Sequence, residues 1–117
     1  MNENEIEVLS FSNNWNNKLN NKAFTSLRLH NDTKFEVGKL FRIILKGRSL
    51  GTAELREKRM IRIDQLNPFI TFLDTGYGVD YTTHLIKTMY QNKNINWETQ
   101  LLDFCLFLYQ LEQKEFF

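Results

Sequence analysis

The first half of the chain alternates apolar and polar positions with the period of a β-strand. In residues 5–12, Ile6, Val8 and Ser10 fall on one side and Glu7, Leu9 and Phe11 on the other, which predicts an opening strand. Residues 24–30 read more clearly: Thr25, Leu27 and Leu29 point toward a core, and Phe24, Ser26, Arg28 and His30 point away. Phe35 to Lys39 has turn composition and leads into a strand over residues 40–46. A second turn over residues 47–51 joins it to a strand over residues 52–63, with Ala53, Leu55, Ile61 and Ile63 as apolar positions, so the two runs form a hairpin.

After Asp64-Gln65-Leu66 the β-rich stretch ends, and Pro68 marks an irregular connection. Gly76 and Gly78 predict a tight exposed loop. From residue 79 the period changes. Thr82, Leu85, Ile86, Met89 and Tyr90 recur at helical spacing, giving one main helix over about residues 79–92, capped by Gly78 or Asp80. Residues 101–111 are apolar on every side. A helix there would need burial all round, so the segment reads as a closing strand, with Leu102, Phe104, Leu106 and Leu108 on one face and Asp103, Cys105, Phe107 and Tyr109 on the other. This order predicts an α+β fold: a small mixed β-barrel with a helix packed at one end.

Composition narrows the class. The 117 residues suit a single domain, and 42% hydrophobic residues with 10 Phe, 4 Tyr and 2 Trp argue against disorder. With one proline and no linker-like tract, nothing divides the chain. No apolar run approaches the ~20 residues of a membrane helix, and the first residues lack a signal pattern, so a cytoplasmic protein without membrane partners is expected. The lone Cys105 excludes an internal disulfide and a multi-cysteine zinc site. His30 and His84 show no metal-ligand spacing, and no phosphate-cradling glycine loop is present, so neither metal nor cofactor is expected.

Charge is segregated. Residues 18–62 carry twelve bases against four acids, a formal +8, while the remainder carries three bases against ten acids, or −7. Such a field draws an anionic partner to one face, unless folding interleaves the two sets as ordinary salt bridges. Within the basic segment, Arg28 shares a strand face with Ser26, where it suits a phosphate or a base edge; its alternative is a salt bridge to Asp74 or a glutamate. Asp74, in a glycine-flanked loop, suits ligand binding or catalysis as well as turn capping. Lys18 and Lys22 suit anion binding or plain solvation, and Ser26 and Thr25 polar contact or plain strand positions. Trp15 and Tyr77 suit base stacking or packing. The surrounding run Asn13-Asn14-Trp15-Asn16-Asn17 suits a capped turn, because Asn bonds nearby backbone and tolerates positive φ.

The run Phe24-Thr25-Ser26-Leu27-Arg28-Leu29 followed by Phe35-Glu36-Val37-Gly38-Lys39 resembles the ASCH group of the PUA-like superfamily. The segment Leu45-Lys46-Gly47-Arg48 through Gly51-Thr52-Ala53, and Asp64-Gln65-Leu66 before the helix ending at Tyr90, extend the resemblance over roughly residues 15–110. It implies a small barrel whose cleft handles RNA or a nucleotide-like small molecule. Some members resemble an amidohydrolase that deacylates N4-acetylcytidine, using a Lys three residues before a Thr, an Arg two residues after it and a distant Glu. Two registers fit. Lys22 makes Thr25 the hydroxyl but sets Arg28 one residue too far; Arg28 makes Ser26 the hydroxyl but puts Ala23 at the lysine position. Strand alternation favours the second, with Lys22 or Lys18 standing in for the lysine and Asp74 for the acid. The resemblance therefore implies ligand-binding roles for Trp15, Lys18, Lys22, Thr25, Ser26, Arg28, Asp74 and Tyr77, and catalytic roles for Lys22, Ser26 and Asp74 in an enzyme. A third reading, from another class, is an interaction module that forms a homodimer through residues 101–117.

Overall fold

A computed structural model describes residues 6–110. Five strands form one curled mixed sheet: β1 (Glu7–Phe11), β2 (Ala23–Leu29), β3 (Leu40–Leu45), β4 (Arg48–Arg62) and β5 (Leu101–Tyr109), in the spatial order β1-β3-β4-β5-β2. β1 runs parallel to β3, and every other neighbouring pair is antiparallel.

The fifteen-residue β4 is the spine of the sheet. Its first part pairs with β3 and its later part with β5, while Ala53 and Glu54 pair with both. Two register shifts, between Ile43 and Ile44 against β3 and between Leu55 and Glu57 against β5, let it bend. The predicted turn over residues 47–51 is therefore shorter than expected. Lys46 and Gly47, both at positive φ, make the reversal, and Gly51 (φ 131°) belongs to the strand where the shift occurs. The outcome is a half-barrel whose two edges, β1 and β2, are far apart in the hydrogen-bonding order yet meet through side chains. The rings of Phe11 and Phe24 lie 6.0 Å apart, and Arg28 Nη2 of β2 donates to the Ser10 carbonyl of β1 at 2.9 Å.

Inside the curl, Phe24, Phe35, Phe41 and Phe107 form an aromatic core with Leu9, Leu19, Ile43 and Leu55. Phe107 stacks on Phe24 at 5.3 Å and meets Phe41 edge-on at the same distance. A second cluster, built on Leu27, Ile63, Leu66, Ile86 and Leu102, seats the helices. Both faces of β2 are thus covered, since Phe24, Ser26 and Leu27 are all buried. The irregular connection expected at Pro68, and the loop expected to hold Asp74, are corrected: a short helix lies there. Pro68–Asp74 forms α1, started by Pro68 at its first position and by Asn67, whose side chain accepts from Ile70 N at 3.0 Å. The expected helix is α2, Val79–Met89, shorter than the 79–92 read from the sequence because Tyr90 leaves helical geometry. Among the described residues no helix is long and apolar enough to cross a membrane. β5 lies between β4 and β2, with both edges bonded, so residues 101–109 offer no free strand edge for dimerisation; residues 111–117 lie outside the described residues.

Phe107→Ala should lower stability by about 3–5 kcal/mol, the usual cost of emptying a fully packed aromatic site. Val8→Ala, at a half-exposed position, should change it by less than about 0.5 kcal/mol. Urea denaturation of both variants checks this. The Cys105 thiol is pushed up to about 12 by burial, reinforced by Asp103. Between the ordinary thiol value and 12 the unfolded chain loses a proton that the native chain keeps, so this group's contribution to stability falls as pH rises through that window. At about pH 8, alkylation of the native protein should be slow and should accelerate to the free-thiol rate in denaturant.

Candidate functional site

The asparagine-rich run after β1 folds as a kinked 3-10 segment, Trp15–Asn20. Asn16 (φ 60°) and Asn17 (φ 52°) adopt left-handed geometry, and the Asn14 side chain accepts from Leu19 N at 2.8 Å. This turns Leu19 into the aromatic core and Lys18 into the gap between the sheet edges, where both are buried. Asn16 Nδ2 donates to the Phe72 carbonyl at 3.2 Å and fastens the segment to α1. Gly76 (φ 82°) permits that approach, because a Cβ there would lie 3.2 Å from the Asn16 side chain.

Lys18 Nζ meets Asp74 Oδ1, at the end of α1, at 3.0 Å, with both side chains almost wholly buried. Thr25 Oγ1 donates to the same oxygen at 2.8 Å. Asp74 Oδ2 accepts no bond from the described residues. Burial pushes the Lys18 ammonium below its ordinary range; Asp74 draws it back up by charge and hydrogen bond, and Arg28 presses it further down. Arg28, also held below its usual value by burial, donates through Nε to Ser26 Oγ at 2.8 Å and lies 4.5 Å over the Phe11 ring. It therefore bonds a hydroxyl and a carbonyl rather than the carboxylate that a salt bridge to Asp74 would require.

Lys18, Asp74, Ser26, Arg28 and Phe11 line a cavity of about 440 Å³. Its polar lining includes Lys18, Ser26, Arg28, Lys46 and Asp74, while Leu85, Ile86 and Met89 of α2 supply an apolar wall. The exposed part of the α2 stripe thus faces the cleft. Trp15 stands at the rim, its ring 6.1 Å from Tyr77 and nearly perpendicular to it, and both rings border a second, polar hollow of about 390 Å³. A cavity of several hundred Å³ with apolar walls and a few convergent polar groups has the form of a small-molecule site.

The candidates read from the sequence separate here. Lys18, Ser26, Arg28, Asp74 and Trp15 line the main cleft, and Thr25 reaches it through Asp74. Tyr77 borders the neighbouring hollow. Lys22 is exposed and outside the cleft, its backbone carbonyl accepting from Tyr109 N at 2.9 Å, so the lysine of this site is Lys18. The Asp74 hydroxyl partner is Thr25, whereas Ser26 serves Arg28. Sequence reading passes over Phe11 and Ser10 as site residues, although the alternation in β1 already aligns Phe11 with buried Leu9. The charge segregation is partly interleaved. Lys18, Lys39, Arg56, Lys58 and Arg62 have carboxylate partners, and the other seven bases of the segment have none within 4.0 Å among the described residues. No group of three metal-ligating side chains occurs among the described residues. No family model, curated protein or solved structure matches the chain.

Asp74→Asn should destabilise the fold by about 3 kcal/mol, because it leaves a buried ammonium without its counter-charge. The double variant Lys18→Met/Asp74→Asn should be more stable than Asp74→Asn alone, since the uncompensated charge is gone. Paired denaturation curves, analysed as a cycle, check both statements.

Proposed function

We propose that the cleft binds a nucleotide-like ligand, with its flat ring against the apolar wall and its polar edge on the floor. The observation that carries this reading is the buried Lys18–Asp74 pair in the 440 Å³ cavity. It places a fixed donor beside an acceptor oxygen that no described residue occupies, and a nucleobase edge presents the complementary C=O and N–H side by side. Arg28 adds a second cation and Trp15 an aromatic face at the rim. The resemblance to ASCH domains points to the same ligand class, either as a free nucleoside derivative or as part of an RNA.

A second reading, amide hydrolysis of an acylated nucleoside, draws on Thr25. Its hydroxyl is bonded to Asp74, which suits transfer of the Oγ1 proton to the carboxylate as Oγ1 attacks an acyl carbon. The C–N bond would then break, with Lys18 donating a proton to the departing amine, and water would later cleave the acyl ester. Binding is the stronger reading because Thr25 lines a separate, smaller hollow beside Phe69 and Leu73 rather than the main cleft.

A thermal-shift screen of nucleosides, acylated nucleosides and short RNAs, with product analysis, tests both. A ligand at about 100 times its Kd should stabilise the protein by about 2.7 kcal/mol. Trp15→Ala should weaken binding roughly tenfold, the worth of one aromatic–base stack. Recovery of intact ligand supports binding. Deacylated product that disappears in Thr25→Val and persists in Thr25→Ser supports the hydrolase. A fully blank screen overturns the reading.

A further inference from the structure

On the far side of Arg28 lies another cavity, of about 330 Å³, bordered by Arg28, Asn31, Lys34, Tyr90 and Lys93. No acidic residue lines it. Lys34 and Lys93 have no carboxylate within 4.0 Å among the described residues, unlike Lys18, Lys39 and Lys58. Lys34 Nζ is held 5.7 Å over the Phe35 ring, which keeps its charge at the cavity wall. Arg28 commits Nε to Ser26 and Nη2 to Ser10, and its Nη1 donates to no described residue.

Charges nearby are already matched. The fully buried Asp103 accepts from His30 Nδ1 at 2.8 Å and from Asn31 N at 2.9 Å. Exposed Asp32 is shared between His30 Nε2 and Lys58. His30 therefore has a carboxylate at each ring nitrogen and offers no free donor. The C-terminal end of α2 points a partial negative charge this way, but the carbonyls of Ile86, Thr88 and Tyr90 accept from Tyr90, Gln91 and Lys93 N–H groups. Three cations with unused donors thus remain on one small concave surface.

We propose that this cavity is a phosphate subsite. Resting on the nucleotide-like reading of the main cleft, it makes the ligand a phosphate ester, free or within a strand, rather than a bare nucleoside. Arg28 forms the wall common to both cavities, so it can hold the base-side groups through its fixed bonds while Nη1 meets the phosphate.

The test follows backbone amide shifts of the whole protein during titration with inorganic phosphate, cytidine, cytidine 5′-monophosphate and a short cytidine oligonucleotide. Phosphate should perturb Lys34 and Lys93, and the monophosphate should bind at least about tenfold tighter than cytidine, as one charge-assisted hydrogen bond provides. In Lys34→Glu/Lys93→Glu, at two loop positions outside the core, that advantage should vanish while cytidine affinity holds. Oligonucleotide binding well above the monophosphate, with a steeper salt dependence, would assign the phosphate to a strand; equal binding would assign it to a free nucleotide. If neither nucleoside nor nucleotide binds, yet phosphate still perturbs the two lysines and loses that effect in the double variant, the subsite stands and the main-cleft reading fails. Absence of a phosphate response at Lys34 and Lys93, or a response undiminished in the double variant, overturns the proposal.

Discussion

The structure around the cleft depends on one ion pair. Lys18 and Asp74 join segments 56 residues apart: the 3-10 segment after β1 and the end of α1. Burying both charges is costly, and their attraction offsets that cost only when geometry and further hydrogen bonds are favourable. Here Thr25 supplies a further bond, while the other carboxylate oxygen accepts none from the described residues. A well-packed apolar pair would hold the two segments together at less cost in desolvation. The charged pair adds what apolar residues cannot, a fixed donor beside a fixed acceptor opposite the apolar wall of the cleft.

The sheet supplies the rest of that geometry. An open five-stranded sheet leaves two edges to manage, and this one curls until β1 and β2 approach each other. Backbone bonding does not close the gap. Phe11, Phe24 and Arg28 span it instead, with the guanidinium stacked on Phe11 and bonded to Ser10. The cleft consequently lies along the seam of the half-barrel, and of its polar lining Arg28 reaches across from β2 to β1.

Most strands are legible in the sequence because each has at least one face with period-2 burial, as in Leu9 and Phe11 of β1 or Phe41 and Ile43 of β3. α1 is not, and the reason is physical. Its buried positions are Thr71 and Asp74, and Ile70 packs against the core, whereas Phe69, Phe72 and Leu73 are exposed, so most of its hydrophobic pattern points away from the fold. The readable signal is the Asn67-Pro68 start, a cap followed by proline at the first helical position. The identity of the lysine is hidden for a related reason. Proximity to β2 favours Lys22, but the left-handed turn at Asn16 and Asn17 directs Lys18 inward, and a pair spanning 56 residues leaves no local trace.

Arg28 connects the fold to the site. A strand arginine whose Nε and Nη2 are already bonded within the protein has lost much of its side-chain freedom before any ligand arrives. The entropy of ordering it belongs to folding rather than to binding, and preorganisation of this kind raises affinity without adding contacts. Its charge adds to burial in holding the Lys18 ammonium below the ordinary range, so the two cations are coupled through the same seam. Substituting Arg28 would remove a cation from the cleft wall and a link between the sheet edges together. Closure of the fold and the charge of the cleft are therefore tied to one side chain, while Lys34 and Lys93 pair with no carboxylate among the described residues.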